Sequence, residues 1–440
     1  MEIPDLTWPL EGTRAQYVQG LRLAEIAGKM QEYGILVDRD ACFRHLVTAR
    51  ERQERFGTVF KELSGLDDIG LDGGTAAVKS FFWDTLKAPH VSLSKRTKLP
   101  KLDKLALIEY VTAGKTEELR KAAASLYAYR RNGKVIGYMT AYLEASSSDS
   151  RIHPRWNTIG TKTSRWSCTE PNVQQLSGRS PKFDFGNGPE TLVDGLKDVL
   201  IADPGFVLVA ADWSALELYL QTYIAGAQKL LLWMHDGKDL HMENAKAVLR
   251  ELKIPADATK STHKIPREIA KLFFGFSYLD GDHVDQVFKQ MKDKMPAITL
   301  PLVQAWRKRY FNEHPEFLQM QERNRQDISD SGYITTPLMG RRLTLVDAPR
   351  GFNQAHNGKC QTTAGDLANI AILRLAEHVD WQNRVLLMQV HDSFVMQCRE
   401  GDEKATEDLL VRCMTEPVDI YGIQAKFLAE AGHGISWADT

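Results

Sequence analysis

The sequence predicts an α+β chain in which long helical segments surround a few buried strands. Three observations carry this. Phe206-Val207-Leu208-Val209-Ala210-Ala211 is continuously apolar and follows the turn sequence Asp203-Pro204-Gly205, as a strand covered on both faces requires. Between Val385 and Gln397 two further apolar runs, VLLMQV and SFVMQC, are separated by His391-Asp392, the pattern of a hairpin with an acid at its turn. From Ala215 to about Asp330, apolar residues recur at helical spacing, broken at Gly237-Lys238-Asp239 and near Pro255.

The remaining elements follow in order. Arg14 to about Phe56 reads as helix, turn and helix, with an extended piece at Ile35-Leu36-Val37. Residues 57–75, rich in Gly and Asp, read as a loop, and Thr75 to Leu86 as helical. Lys104 to Ala113 and Thr116 to Tyr129 give two more helical patterns. After Ala145 a long stretch of Ser, Thr, Asn and Gln is too polar for core, and is either a linker or a surface for a polar partner. Tyr333 to Thr336 and Arg342 to Val346 form a hairpin around Gly340, and a long helix spans about Asn353 to Val379. There is no internal repeat and no low-complexity tract.

Composition narrows the function classes. With 440 residues, 43% hydrophobic and 26% charged, the chain is an ordinary globular protein large enough for two or three substructures. It has no apolar run of membrane-spanning length, and the opening MEIPDLTWPL has no signal-peptide pattern, so a cytoplasmic location is expected. Five scattered cysteines argue against a disulfide framework and against a CxxC zinc site. Lys and Arg number 56 against 57 Asp and Glu, so net charge does not point to nucleic acid. Locally the distribution is basic, since Lys87, Lys95, Arg96, Lys98, Lys101 and Lys104 are opposed only by Asp103, a stretch that suits a polyanion and equally a solvated loop. No GxxxxGK[ST] occurs, which disfavours a P-loop ATPase.

Two acids stand in matching places, Asp212 after one apolar strand and Asp392 at the hairpin tip. If the strands are neighbours, the carboxylates converge and could share divalent metals. Either Asp taken singly reads as well as a turn residue or helix cap. Arg267, Lys271, Phe274 and Tyr278 are spaced 4, 3 and 4 apart and fall on one helical face. Two cations followed by two aromatics suit a triphosphate at one end and a base with its sugar at the other, although an amphipathic helix with snorkelling cations has the same pattern.

Taken together and in this order, these elements resemble family A DNA polymerases, the group of bacterial DNA polymerase I and its phage and mitochondrial relatives. Asp212 to Leu218, DWSALEL, is similar to the family's DYSQIEL, and Gln389 to Ser393, QVHDS, to QVHDE. Arg165 with Glu170-Pro171-Asn172-Val173-Gln174 resembles RxSSTDPNLQN. Gly237 to His241 resembles GxDxH, Gly340-Arg341-Arg342-Leu343 the GRR turn, and NGKCQTTAGD from Asn357 to Asp366 the family's NAPMQGTAAD.

The resemblance implies a right-hand polymerase fold: palm from 1–60, 146–230 and 331–440, thumb from 61–145, fingers from 231–330. An antiparallel sheet in the palm would bear both acids. It implies that Asp212, the Trp213 carbonyl and Asp392 hold two Mg²⁺ ions, with Mn²⁺ as an alternative, and that Arg267 and Lys271 neutralise the triphosphate. His241 would donate to the triphosphate, Phe274 pack on the incoming sugar and base, and Tyr278 stack beside the template or nascent pair. Glu217 fits the steric gate that favours deoxynucleotides. Arg165, Asn172, Gln174, Asn357, Gln361, His391 and Arg341 are implied contacts of primer-template DNA, and Lys95, Arg96 and Lys98 would hold duplex phosphates from the thumb.

Departures from the family pattern are also legible. Ser393 replaces the usual Glu after the second acid, Tyr219 and Asn353 stand where Arg is common, and Lys271 to Phe274 is one residue short. No DxE motif precedes the thumb, so synthesis without a proofreading exonuclease is expected, by a monomer with room for a separate exonuclease or processivity factor as partner and no membrane. The short, divergent form resembles a phage enzyme more than a cellular one. The rivals are a single-subunit RNA polymerase, against which Glu217 argues, and a catalytically silent DNA-binding scaffold, against which the intact acids and Lys271 argue.

Overall fold

Three of the four strands of the central sheet form because their apolar residues leave almost no side chain for water, and a more exposed fourth pairs along the edge. The computed structural model describes residues 11–70, 74–93, 99–161, 163–176, 182–186, 188–273, 284–295, 297–344 and 348–440. The strands are Phe206–Trp213 (β1), Arg384–Val390 (β2), Ser393–Arg399 (β3) and Ala429–Gly434 (β4), in the spatial order β2-β3-β1-β4 and antiparallel throughout. Helix Glu403–Thr415 packs on β1, β3 and β4, and helix Glu11–Tyr33 reaches β2. With cover of this kind, continuous apolar runs are stable where an alternating pattern is not. Trp213 fixes the end of β1, donating from its indole to the Met414 carbonyl at 3.0 Å and meeting Phe394 edge-on at 5.6 Å.

A buried polar knot ties the sheet to the first helix. Asp203 accepts from Tyr33 at 2.8 Å, from Gln397 at 2.8 Å and from Arg151 at 2.5 Å. Burial pushes its carboxyl up, but these three donors outweigh burial and hold it below its ordinary range.

Two long helices, Arg39–Ser64 and Glu117–Ala145, pack along one another, with Lys104–Ala113 against the second. This corrects two expectations. Residues 57–64 are helix, not loop: Phe56, Gly57 and Phe60 lie on its buried face, and the chain turns only at Gly65. A side chain at Gly57 would stand 3.1 Å from the Tyr129 ring, so a glycine within the helix permits the close packing. The helix expected to end at Tyr129 continues to Ala145, because Val135, Met139 and Tyr142 extend the buried stripe.

A further set of helices includes Leu240–Val248, Lys264–Lys271, Val284–Lys294, Leu300–Glu313 and Glu316–Ser331, around Trp306, Tyr310 and Phe317, all fully buried. Arg309 grips Glu251 through both nitrogens at 2.8 and 3.1 Å, and Trp306 adds a third donor at 2.9 Å. Led by the Arg309 hydrogen bond, these hold the Glu251 carboxyl at about 2. Helix Lys264–Lys271 gives way to a turn at Leu272-Phe273, so the single helical face expected from Arg267 to Tyr278 ends at Lys271 among the described residues. Phe274 and Tyr278, like Lys95, Arg96 and Lys98, lie outside them.

The long helix Ala348–Ala376 crosses beneath the hairpin of Tyr333–Thr335 and Arg342–Thr344. No helix among the described residues is long and apolar enough to cross a membrane.

Candidate active site

β1 does not stop before Asp212 but runs through it to Trp213. Asp212 is directly opposite Ser393 of β3 and, on its other flank, Glu430 of β4. The hairpin turn Val390-His391-Asp392-Ser393 places Asp392 one step further along, where its carbonyl accepts the Trp213 amide at 3.1 Å. Both acids thus stand at one end of the sheet, as their positions in the sequence predicted. The carboxyl of Asp212 reaches solvent, yet partial burial is the first cause of its upward shift, followed by repulsion from Asp392. Asp392 is also raised, by burial, with Glu217 pushing further up and Arg165 opposing. A cation beside Asp212 and Asp392 would relieve the repulsion that Asp392 exerts on Asp212.

Ala215, in the left-handed region at φ 54°, turns the chain from β1 into helix Leu216–Ala225, whose first turn carries Glu217. Arg165 lies 3.2 Å from Glu217 and 3.7 Å from Asp392, so the three share one edge of the site. The segment carrying Arg165 is clamped from two sides. Trp166 donates to Asn369 of the long helix at 2.8 Å, and Gln174 donates to the Gln389 carbonyl of β2 at 3.0 Å. At Gly365 a side chain would meet the Thr163 carbonyl at 2.7 Å, so only glycine allows the long helix to approach this closely.

Other predicted residues fall into two groups. Asn357, exposed, and Gln361, half-buried, sit one turn apart on the long helix, and His391 is exposed at the hairpin tip. Asn172, Gln174 and Arg341 instead make internal bonds: the Asn172 side chain accepts the Gln174 amide at 2.8 Å, and Arg341 binds the fully buried Asp366 at 2.5 Å. Thr336 donates to the same carboxylate at 2.9 Å.

Arg267 and Lys271 share helix Lys264–Lys271. Arg267 is held by Asp239 at 2.6 Å, and Asp239 also caps helix Leu240–Val248 by accepting the Met242 amide at 3.0 Å. His241 beside them is pushed down to about 4, chiefly by burial and then by Arg267, so it is neutral at physiological pH.

Several residues were not singled out in the sequence. Glu430 opposite Asp212 and Glu268 beside Lys271 lie within unremarkable local patterns. Lys197, whose charge opposes the rise of Asp212, stacks over Trp437 at 4.3 Å. A cleft of about 740 Å³ between the long helices adds Lys79, Arg130, Arg131 and Lys134 to Lys101 and Lys104. For Arg130, Arg131 and Lys134 the signal was present as a basic stripe at helical spacing.

Among the described residues, no group of three or more His, Cys, Asp or Glu is arranged to hold a metal by itself. Two carboxylates and a backbone carbonyl are nevertheless the hard oxygen donors that suit Mg²⁺, which commonly takes its other ligands from water and substrate phosphates.

Comparison with known proteins agrees with this geometry. The family model described as DNA polymerase family A matches residues 49–439. Thermostable DNA polymerase I of Thermus aquaticus is 26% identical over 350 residues, 74% of this chain and 39% of its own length. DNA polymerase I of Caldicellulosiruptor bescii is 21% identical over 436 residues, 95% of this chain and 46% of its own. The chain therefore spans less than half the length of these relatives. In fold it is similar to the POL domain of Pol1 from M. smegmatis, solved in complex with DNA primer-template and dNTP, with a TM-score of 0.77 over 96% of this chain and 70% of that one at 21% identity. These relatives are bacterial, so the phage-type expectation finds no support.

Proposed function

This chain belongs to DNA polymerase family A, and from that premise we propose that it extends a primer 3′-hydroxyl with deoxynucleotides on a DNA template, by two-metal phosphoryl transfer. The observation that supports this most is the convergence of Asp212 and Asp392 at one end of the sheet, with Arg165 and Glu217 on the same edge.

Asp212, Asp392 and the Trp213 carbonyl would hold the metal ions. When bound, two Mg²⁺ would supply Lewis-acid activation of the primer hydroxyl and neutralise charge on the triphosphate. Arg267 and Lys271 bind the triphosphate, and neutral His241 contributes a hydrogen bond without a charge. Glu217 fills the space a ribose 2′-hydroxyl needs, while Arg165 on its flank keeps that carboxylate in place. Phe274 and Tyr278 pack on the incoming nucleotide and the nascent pair. Asn357, Gln361 and His391 meet the primer terminus in the minor groove, where shared acceptors report pairing without reading sequence. The basic cleft between the long helices holds duplex phosphates, with a thumb of residues 39–145, fingers of 231–330 and a palm from the rest. Proofreading is assigned to no residue of this chain, and the enzyme acts as a cytoplasmic monomer.

The test is extension of a labelled primer on a recessed DNA template with Mg²⁺, with dNTPs and rNTPs in parallel and Asp392→Ala as control. Incorporation of dNTPs alone, lost in the variant, is the expected result. Use of rNTPs would favour an RNA polymerase and remove the role given to Glu217; tight DNA binding without extension would favour a silent scaffold.

A further inference from the structure

We propose that Glu268 is a resident competitor for the triphosphate: its carboxylate holds Lys271 until an incoming nucleotide, or pyrophosphate in the reverse direction, displaces it. The inference deepens the polymerase reading and rests on its assignment of Arg267 and Lys271 as phosphate ligands.

Glu268 Oε1 lies 2.5 Å from Lys271 Nζ and 3.8 Å from Arg267 Nη1, while Arg267 Nε lies 2.6 Å from Asp239 Oδ2. Two cations and two carboxylates therefore cancel on the surface meant to receive a polyanion. His241 does not tip the balance, since burial keeps it neutral. A phosphate-binding face with no net charge among these five side chains attracts its ligand less than the two cations alone would.

The two carboxylates are not equivalent. Asp239 is anchored by the Met242 amide it caps, so it stays in place and orients Arg267. Glu268 is on the same helix as Lys271, three residues before it, and its side chain can rotate away while the backbone stays still. Exchange thus occurs at Lys271: phosphate oxygens replace the carboxylate as nucleotide binds, and the carboxylate recaptures the ammonium as pyrophosphate leaves. Glu268 does not touch the reacting atoms in this scheme; it sets the availability of the lysine that does.

The experiment compares the wild-type chain with Glu268→Gln, which removes the charge and keeps the shape. Steady-state extension should show the KM for dNTP and the inhibition constant for pyrophosphate each falling roughly three- to tenfold, with kcat unchanged or lower. The KM should also depend more steeply on salt. In a Lys271→Met background the same change should have almost no effect, because the coupling partner is gone. Calorimetric titration with pyrophosphate alone reads the same exchange without catalysis, and tighter binding by Glu268→Gln is expected there too. An active enzyme in which both constants are unmoved would overturn the proposal. A higher KM would do so as well, showing that Glu268 presents Lys271 instead of competing for it. If the wild type fails to extend primers at all, the polymerase reading falls, while the pyrophosphate titration still decides whether Glu268 competes with phosphate.

Discussion

The acids of the sheet and the cations of helix Lys264–Lys271 handle like problems in opposite ways. At the end of β1, Asp212 and Asp392 are left facing repulsion from each other, Glu217 and Glu430, opposed by Arg165 and Lys197. On the helix, Arg267 and Lys271 each have a carboxylate within hydrogen-bond distance. The first region carries excess negative charge that a metal ion would relieve; in the second, Arg267 and Lys271 are already paired, so that a phosphate ligand would have to exchange with a carboxylate. The difference teaches that metal binding and nucleotide binding need not respond alike to removing an acid. Deleting one at the end of the sheet should weaken metal binding, whereas deleting Glu268 should strengthen nucleotide binding.

The largest effect expected from breaking this contrast is that of Asp212→Asn. It should reduce primer extension by about a thousandfold or more, since the proposed two-metal site would lose one of its carboxylates. DNA binding, measured by gel shift, should be nearly unchanged. The same variant should melt at a slightly higher temperature than wild type near neutral pH without metal, because a charge that raises the energy of the folded state is gone. Simultaneous loss of DNA binding and of the melting transition would mean instead that Asp212 holds the fold together.

How much of this was legible differs between the two regions for a physical reason. β1 and the β2–β3 hairpin could be read because buried strands need continuous apolar runs, and acids at the ends of such runs stand out. Their register, with Asp212 opposite Ser393, was not readable, since no local pattern fixes which strands pair. Arg267 and Lys271 were found from helical spacing; their helix gives way to a turn at Leu272-Phe273, and Phe274 and Tyr278 lie outside the described residues. Local periodicity does not record where tertiary packing ends a helix. Glu268 and Glu430 were invisible for a related reason: a lone acid in a helix or strand becomes informative only when its neighbour across space is known. The family resemblance supplied roles for residues that match its motifs and had nothing to say about these two.

Acid should sharpen the comparison through His314, fully buried beside Tyr310 and Phe317. Its Nε2 bonds to the Asn244 side chain at 2.7 Å, and burial, then the charge of Lys229, hold the ring at about 4, with Glu313 opposing. Its folded pKa lies below the ordinary unfolded value near 6.5. The stability it contributes is therefore complete above about pH 6.5 and is lost as pH falls toward 4. Between about pH 7.5 and about pH 5 the loss should be about 2 kcal/mol. In the palm, the depressed Asp203 loses its contribution only below the ordinary carboxylate range. Urea unfolding at the two pH values should thus show the helices around Trp306 yielding first, followed by the Trp306 signal, and His314→Asn should remove about half of the difference, since buried His241, also held at about 4, carries a similar part. An unchanged slope in that variant would place the acid sensitivity elsewhere.

The smallest effect tests whether the palm is truly short of positive charge. Ser393 faces Asp212 and spends its hydroxyl on the Val390 carbonyl at 2.9 Å, within the hairpin turn. Ser393→Glu would remove that bond, costing about 1 kcal/mol, and add a carboxylate to a cluster that already repels itself. The metal-free protein should therefore melt lower. With Mg²⁺ the sign should reverse in part, because the new oxygen offers a further ligand: the concentration for half-maximal extension should fall a few-fold while kcat changes little. Melting with and without Mg²⁺, beside a Mg²⁺ titration of extension, separates the two contributions. If the variant is more stable than wild type without metal, the acids of the palm are not under mutual repulsion, and the contrast with the neutralised helix fails.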